Sequence, residues 1–189
     1  MVIITPYDPR WPLEFAAIGI ALRTALGDHA LRIDHIGSTS VPGLAAKDRI
    51  DVQIAVASFD RFDDIRSRVE GLGYQTRPFV ADHEPPGWQG PPGQWEKRYF
   101  TSPPGMRPTN IHVRILENAN QRYAVLFRDY LRAHPKSAAA YGELKRRLAD
   151  NLRDIDLYPD VKDPACDLIA VAAEDWAEVT GWRMGPSDA

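Results

Sequence analysis

Residues 49–57 read Arg49-Ile50-Asp51-Val52-Gln53-Ile54-Ala55-Val56-Ala57. Side chains alternate across an extended strand, so Ile50, Val52, Ile54 and Val56 share one face, and Asp51, Gln53 and Ala55 share the other. The segment predicts a strand with one apolar and one polar side. Residues 110–116 repeat the pattern, with Ile111, Val113 and Ile115 opposite Asn110, His112 and Arg114. If the two strands are neighbours, their polar sides join a carboxylate, two amides, an imidazole and a guanidinium into one reactive floor. The alternation alone is equally consistent with a solvent-facing side of a sheet. Gly37-Ser38 tips the balance, because glycine lets the backbone approach a ligand closely and present bare N–H groups to a phosphate.

Working outward, residues 31–37 predict a short strand and 38–48 a loop rich in Ser, Thr, Pro and Gly. Further strands are expected at 74–80 and 96–101, the latter joined to 110–116 by a hairpin-like Pro/Gly connection. A helix is expected from about Pro12 to Leu26, with proline in its first turn. A second carries Phe59, Phe62, Ile65, Val69 and Leu72 on one stripe, with Ser58 as its N-cap. Residues 119–133, 136–152 and 164–181 predict three more helices, broken at His134-Pro135 and delimited by Pro159 and Pro164. Residues 84–93, with four prolines and three glycines, read as a surface loop or flap. The expected architecture is one α+β domain over 1–189. It has a mixed, mainly antiparallel sheet flanked by helices and a helical C-terminal part from about residue 119.

Bulk properties fit that frame. The 189 residues are 44% hydrophobic and 26% charged, with a formal charge of −3. This suits a globular domain and demands neither a nucleic-acid nor a membrane partner. The single cysteine, Cys166, excludes an intramolecular disulfide and is expected on a packed helix face. No leader pattern or membrane-length apolar run is seen, so a cytoplasmic location is expected. Other templates fail: Pro42-Gly43 is not followed by the lysine of a phosphate-binding P-loop, no Gly-x-Ser-x-Gly surrounds Ser38 or Ser40, and the five histidines lack zinc spacing.

The run His35-Ile-Gly-Ser-Thr-Ser-Val-Pro-Gly-Leu-Ala-Ala-Lys47, followed by Ile50-Asp51-Val52, resembles the signature of the GrpB family. So do Tyr7 to Trp11, Trp95-Glu-Lys-Arg98, Asn110-Ile-His-Val113, Phe127-Arg-Asp-Tyr-Leu-Arg132, Tyr141-Gly-Glu-Leu-Lys145, and Tyr158 with Lys162. Proteins of that family occur alone or fused to dephospho-CoA kinase and are similar to the polymerase-β-type nucleotidyltransferases. The resemblance implies the sheet of that superfamily, with Gly37 and Ser38 holding phosphate oxygens, helped by Thr39 and Ser40 in the same loop. Asp51 matches a carboxylate that binds Mg²⁺, and Gln53 occupies the second carboxylate position, so both are candidate metal ligands, although the amide of Gln53 departs from the pattern. Lys47, Lys97, Arg98 and Arg114 are expected to neutralise phosphate charge, and His112 to serve as base for an acceptor hydroxyl. His35 is expected to orient the loop. The arginines of 122–147 are expected on a solvated helical face. Two functions follow. One is Mg²⁺-dependent transfer of a nucleotidyl group from an NTP to a small-molecule or protein acceptor. The other is a catalytically degenerate module that binds a nucleotide or another phosphorylated metabolite, linked to coenzyme A metabolism.

Overall fold

The computed structural model describes residues 2–189. Both alternating segments are strands, β2 (Ile50–Val56) and β5 (Thr109–Ile115), and they run parallel as hydrogen-bonded neighbours. Asp51 lies opposite Asn110, Gln53 opposite His112 and Ala55 opposite Arg114, so the polar sides merge into one face. β1 (Arg32–Ile36) pairs antiparallel with the other edge of β2. β4 (Arg98–Thr101) pairs antiparallel with β5, and β3 (Gln75–Arg77) with β4. The sheet order is β1-β2-β5-β4-β3, mixed and mainly antiparallel as expected.

The apolar face is covered by α1 (Trp11–Leu26) and α2 (Phe62–Gly71). Trp11, Leu22 and Leu26 from α1 and Val69 from α2 pack against Ile50, Ile54 and Ile111 of the strands. Burying each such aliphatic side chain stabilises the fold by roughly 1.5–3 kcal/mol. The opposite face is crossed by α3 (Ala119–Ala133), which packs with α4 (Pro135–Asn151) and α5 (Tyr158–Thr180) around Leu44, Leu126, Leu131 and Ala173. One layer of helices therefore seals the sheet, and a second group overhangs its polar side. That overhang creates the cavity. Among the described residues, no helix is long and apolar enough to cross a membrane.

Several boundaries differ from expectation. Ser58 does not cap α2: its hydroxyl donates to the Asp60 carboxylate at 2.8 Å, a turn intervenes, and the helix begins at Phe62. β3 is only Gln75–Arg77, since Pro78 offers no N–H to extend the ladder. α5 starts at Tyr158 rather than near 164. Pro159 fits its first turn, where the missing N–H is harmless, and Pro164 is carried inside the helix. Buried Tyr158 and Cys166 flank that proline and hold the helix through it. The last residues were not legible as structure. Ser187 Oγ accepts from Ile33 N–H at 2.8 Å and Asp188 from His35 N–H at 2.9 Å, so the tail covers the exposed edge of β1.

Candidate functional site

Gly37 has φ 69° and ψ −173°, a backbone region essentially restricted to glycine. A Cβ there would lie 2.5 Å from Asp51 Oδ2, so the turn and the carboxylate are in direct contact. Ser38–Ser40 then make one short helical turn. The Ser40 hydroxyl donates back to the Gly37 carbonyl, and Thr39 Oγ1 lies 3.0 Å from His35 Nε2. His35 stacks on Phe15 with ring centroids 4.6 Å apart, and burial lowers its pKa to about 4, leaving it neutral. His35 thus braces the loop, as its position suggested. Ser38 and Thr39 line the cavity, whereas Ser40 is turned into the loop's own hydrogen bonding.

The cavity beneath the helical overhang measures about 380 Å³, within the ~300–1,000 Å³ span of small-molecule sites. Gly37, Ser38, Lys47, Asp51, His112 and Arg114 all line it, so the turn, the carboxylate and the imidazole share one hollow. Asn110 Nδ2 donates to Asp51 Oδ1 at 2.7 Å, and Asn110 Oδ1 accepts from Arg49 at 3.0 Å. His112 Nε2 lies 3.8 Å from Asp51 Oδ1. Burial alone would raise the Asp51 carboxyl, but His112 and the Asn110 amide outweigh it and hold it below its ordinary value. Burial depresses His112, against the pull of Asp51, and keeps it neutral near pH 7. Four buried polar atoms on cavity-lining residues have no partner: His112 Nδ1, Asn120 Oδ1, Trp95 Nε1 and the Tyr158 hydroxyl.

Gln53 is not among the residues that face this hollow. It is fully buried: its Oε1 accepts from Arg114 at 2.6 Å and its Nε2 donates to the Gln121 carbonyl at 3.1 Å. Both ends of the amide are satisfied, which corrects the expectation that it serves as a metal ligand. Gln53→Asp is accordingly expected to yield no metal site and to cost about 1–3 kcal/mol, since the Gln121 carbonyl loses its donor; denaturant unfolding with and without Mg²⁺ measures both. The donor set fits two cations poorly. Among the described residues there is no group of three or more His, Cys, Asp or Glu placed to hold a metal. Of the cavity's carboxylates, Asp82 and Asp163 are paired with cations, so a single Mg²⁺, if held, would rest on Asp51.

Arg114 is fixed by Asp82, which also pairs with Lys97 at 2.8 Å and accepts from Asn120 Nδ2 at 3.0 Å. Burial opposes the Asp82 charge, yet the Arg114 and Lys97 cations hold its carboxyl far below the usual range. Lys97 is thereby consumed by Asp82 and does not reach the cavity wall. Arg98 points to the other side of the sheet, its guanidinium 4.2 Å from the Phe59 ring centre. Neither forms the expected basic wall; strand alternation sends Arg98 to the core face, with Phe100. Removing the buried partner with Asp82→Ala is expected to destabilise by about 3–5 kcal/mol, read by thermal or denaturant unfolding.

The positive charge comes instead from the helices. Lys145 Nζ donates to Ser38 Oγ at 2.7 Å and to the Ala45 carbonyl at 2.6 Å. Burial, reinforced by the Lys162 charge, lowers its pKa to about 7. Lys162 lies 3.2 Å from Cys166 Sγ, and Lys47 sits 3.9 Å from the Tyr158 ring centre. Burial and the neighbouring Lys162 and Arg49 charges also depress Lys47. Sequence reading assigned no role to Lys145 or Lys162, although a signal existed: Tyr141/Lys145 and Tyr158/Lys162 share an i, i+4 spacing that places each pair on one helix face. Cys166 is buried on a packed helix face as expected, with Leu44, Leu131 and Tyr141, and it also lines the cavity. Arg128 is buried away from the expected solvated face, whereas Arg132 stays exposed on it. The first donates to the His35 carbonyl at 3.0 Å and the second to the Ser40 carbonyl at 3.0 Å, both bracing the Gly-Ser loop.

The chain resembles known proteins over nearly its whole length. It is 39% identical over 198 aligned residues to a protein of Mycolicibacterium paratuberculosis named dephospho-CoA kinase, covering 96% of this chain and 48% of that protein. The chain thus spans about half the length of that relative. The crystal structure of conserved protein GrpB from Enterococcus faecalis superposes with a TM-score of 0.76 at 32% identity, covering 92% of this chain and 99% of that one. The family model described as GrpB protein matches residues 1–171, and the chain belongs to the GrpB family.

Proposed function

We infer that the cavity binds a phosphorylated small molecule, of the nucleoside-phosphate or coenzyme A type, and that the chain is a binding module rather than a two-metal transferase. The observation that carries this reading is the convergence of Lys47, Lys145 and Lys162 with Ser38 on one half-closed hollow. Burial lowers the pKa of Lys47 and brings that of Lys145 to about 7, which weakens the charge of Lys145 when no anion is present. An incoming phosphate restores that charge, and each charge-assisted hydrogen bond made away from water is stronger than its neutral counterpart. Gln53 is locked between Arg114 and the Gln121 carbonyl; of the cavity's carboxylates, Asp82 is taken by Arg114 and Lys97 and Asp163 by Lys162, which leaves Asp51 where in-line transfer through two metals needs more. A link to coenzyme A rests on the relative named dephospho-CoA kinase, which is about twice as long as this chain.

Nucleotidyl transfer is the second reading, favoured by the ionised Asp51 beside the neutral His112, whose Nδ1 has no partner. In that case Asp51 would hold one Mg²⁺ against phosphate oxygens, and His112 would take the proton of an acceptor hydroxyl. Thermal unfolding with ATP, coenzyme A or dephospho-CoA, each with and without Mg²⁺, separates the two. A binding module gains several degrees with at least one of these ligands, and the gain survives both Mg²⁺ removal and Asp51→Asn. A gain confined to Mg²⁺ and lost in Asp51→Asn would favour transfer. No gain with any of them would end the phosphate reading.

A further inference from the structure

Resting on the phosphate reading, we propose that the stretch of cavity wall formed by Trp95, Asn120, Tyr123 and Phe127 is a base-binding subsite, so that the ligand carries a heteroaromatic base. Two stretches of the cavity wall differ in chemistry. Ser38, Lys47, Lys145 and Lys162 gather beside Tyr158 and Tyr141. Next to them, Tyr123 and Phe127 are four residues apart on α3, their rings nearly parallel, 20° apart at 5.9 Å, and Phe127 meets Tyr141 at 5.7 Å. Trp95 meets Tyr123 edge-on at 5.8 Å. Flat aromatic walls of this kind accept a planar ring.

Polarity gives the second observation. The Asn120 amide is fixed by its neighbours: Nδ2 donates to Asp82 at 3.0 Å and to the Glu96 carbonyl at 2.8 Å. The orientation of the amide is therefore set, and its Oδ1 is left over as an acceptor without a donor. Trp95 Nε1 is a donor without an acceptor. The two residues are 1% and 7% exposed, so neither group is satisfied by bulk water. Both line the same cavity, and their segments are in contact, because Asn120 N–H donates to the Gln94 carbonyl at 3.2 Å. Leaving such groups unpaired costs about 1–3 kcal/mol each. A ligand whose ring edge offers one donor and one acceptor can relieve both costs; an amino-bearing base such as adenine offers both, whereas an ionised polyphosphate offers no donor to Asn120 Oδ1.

Trp95→Phe is the informative variant, because it keeps an aromatic ring and removes only the unpaired N–H. Calorimetric titration of the full chain compares three probes: ATP, purine riboside triphosphate (which lacks the 6-amino group) and inorganic tripolyphosphate. ATP is expected to bind at least tenfold more tightly than tripolyphosphate. Loss of the 6-amino group is expected to weaken binding about five- to tenfold by leaving Asn120 Oδ1 unpaired. Trp95→Phe should weaken ATP by a similar factor while leaving tripolyphosphate unchanged, and that unchanged value also shows that the variant is folded. If tripolyphosphate binds and ATP binds no more tightly, or Trp95→Phe leaves ATP affinity intact, the base subsite is overturned and the phosphate reading stands. If none of the three binds, both are overturned.

Discussion

Gly37→Ala is expected to abolish ligand binding and to lower the melting temperature by several degrees. Alanine at φ 69° and ψ −173° sits in a region that costs about 1–3 kcal/mol for a residue with a side chain. Its methyl group would lie 2.5 Å from Asp51 Oδ2, and the aspartate is a short, tethered side chain with little room to yield. Either the loop swings away from β2 or Asp51 is displaced and gives up the Asn110 hydrogen bond. Both outcomes separate Ser38 from the floor of the cavity. Calorimetric titration with ATP and a thermal melt read the two effects. Unchanged binding would mean that the contact between the turn and the carboxylate is incidental.

Lys145→Met is expected to divide stability from function. Lys145 has a folded pKa of about 7, below the 10.5 of the free side chain. Between those values the unfolded chain binds more protons than the folded one. Stability therefore rises with pH across that window, by up to about 1.4 kcal/mol per pH unit from this residue. At pH 7 and below, the wild-type protein carries the full burden of burying this amine. Methionine fills a similar volume without it, so the variant should be as stable as wild type near neutral pH, or more so, despite losing the bond to the Ala45 carbonyl. The extra rise in wild-type stability between pH 7 and 10.5 should be absent from the variant. Phosphate-ligand affinity should fall by about one to two orders of magnitude, the scale of one charge-assisted hydrogen bond at about 1.5–3 kcal/mol. Denaturant melts over that pH range, paired with titrations, test both halves.

Much of this site was legible because strand alternation is a local rule. Asp51, Asn110, His112 and Arg114 could be assigned to polar sides from spacing alone, and the parallel pairing of β2 with β5 then brings those sides together. The Gly37-Ser38 turn was legible from the need for a glycine backbone. What failed depended on tertiary partners that carry no local trace. Gln53 looked like a lost ligand until Arg114 and the Gln121 carbonyl were seen to occupy both ends of its amide. Lys97 and Arg98 looked like a cationic wall, but Asp82 takes the first and the Phe59 ring the second. Lys145 and Lys162, more than 90 residues along the chain from the loop they face, enter the cavity only because α4 and α5 fold back over the sheet. The place of Tyr158 at the start of α5 was missed for a related reason: Pro159 and Pro164 read as a boundary, while α5 runs through both.

The titration of Lys145 on ligand binding probes the lysine cluster most directly. ATP is titrated calorimetrically into the protein at pH 8, in two buffers of different ionisation enthalpy, so that the protons exchanged can be counted. At that pH the free Lys145 is mostly neutral, and a phosphate beside it should restore its charge. Net uptake approaching one proton per ATP is expected, disappearing in Lys145→Met as the affinity falls. Binding with no proton uptake, or with affinity that Lys145→Met leaves unchanged, would contradict the assignment of this cavity as a phosphate site.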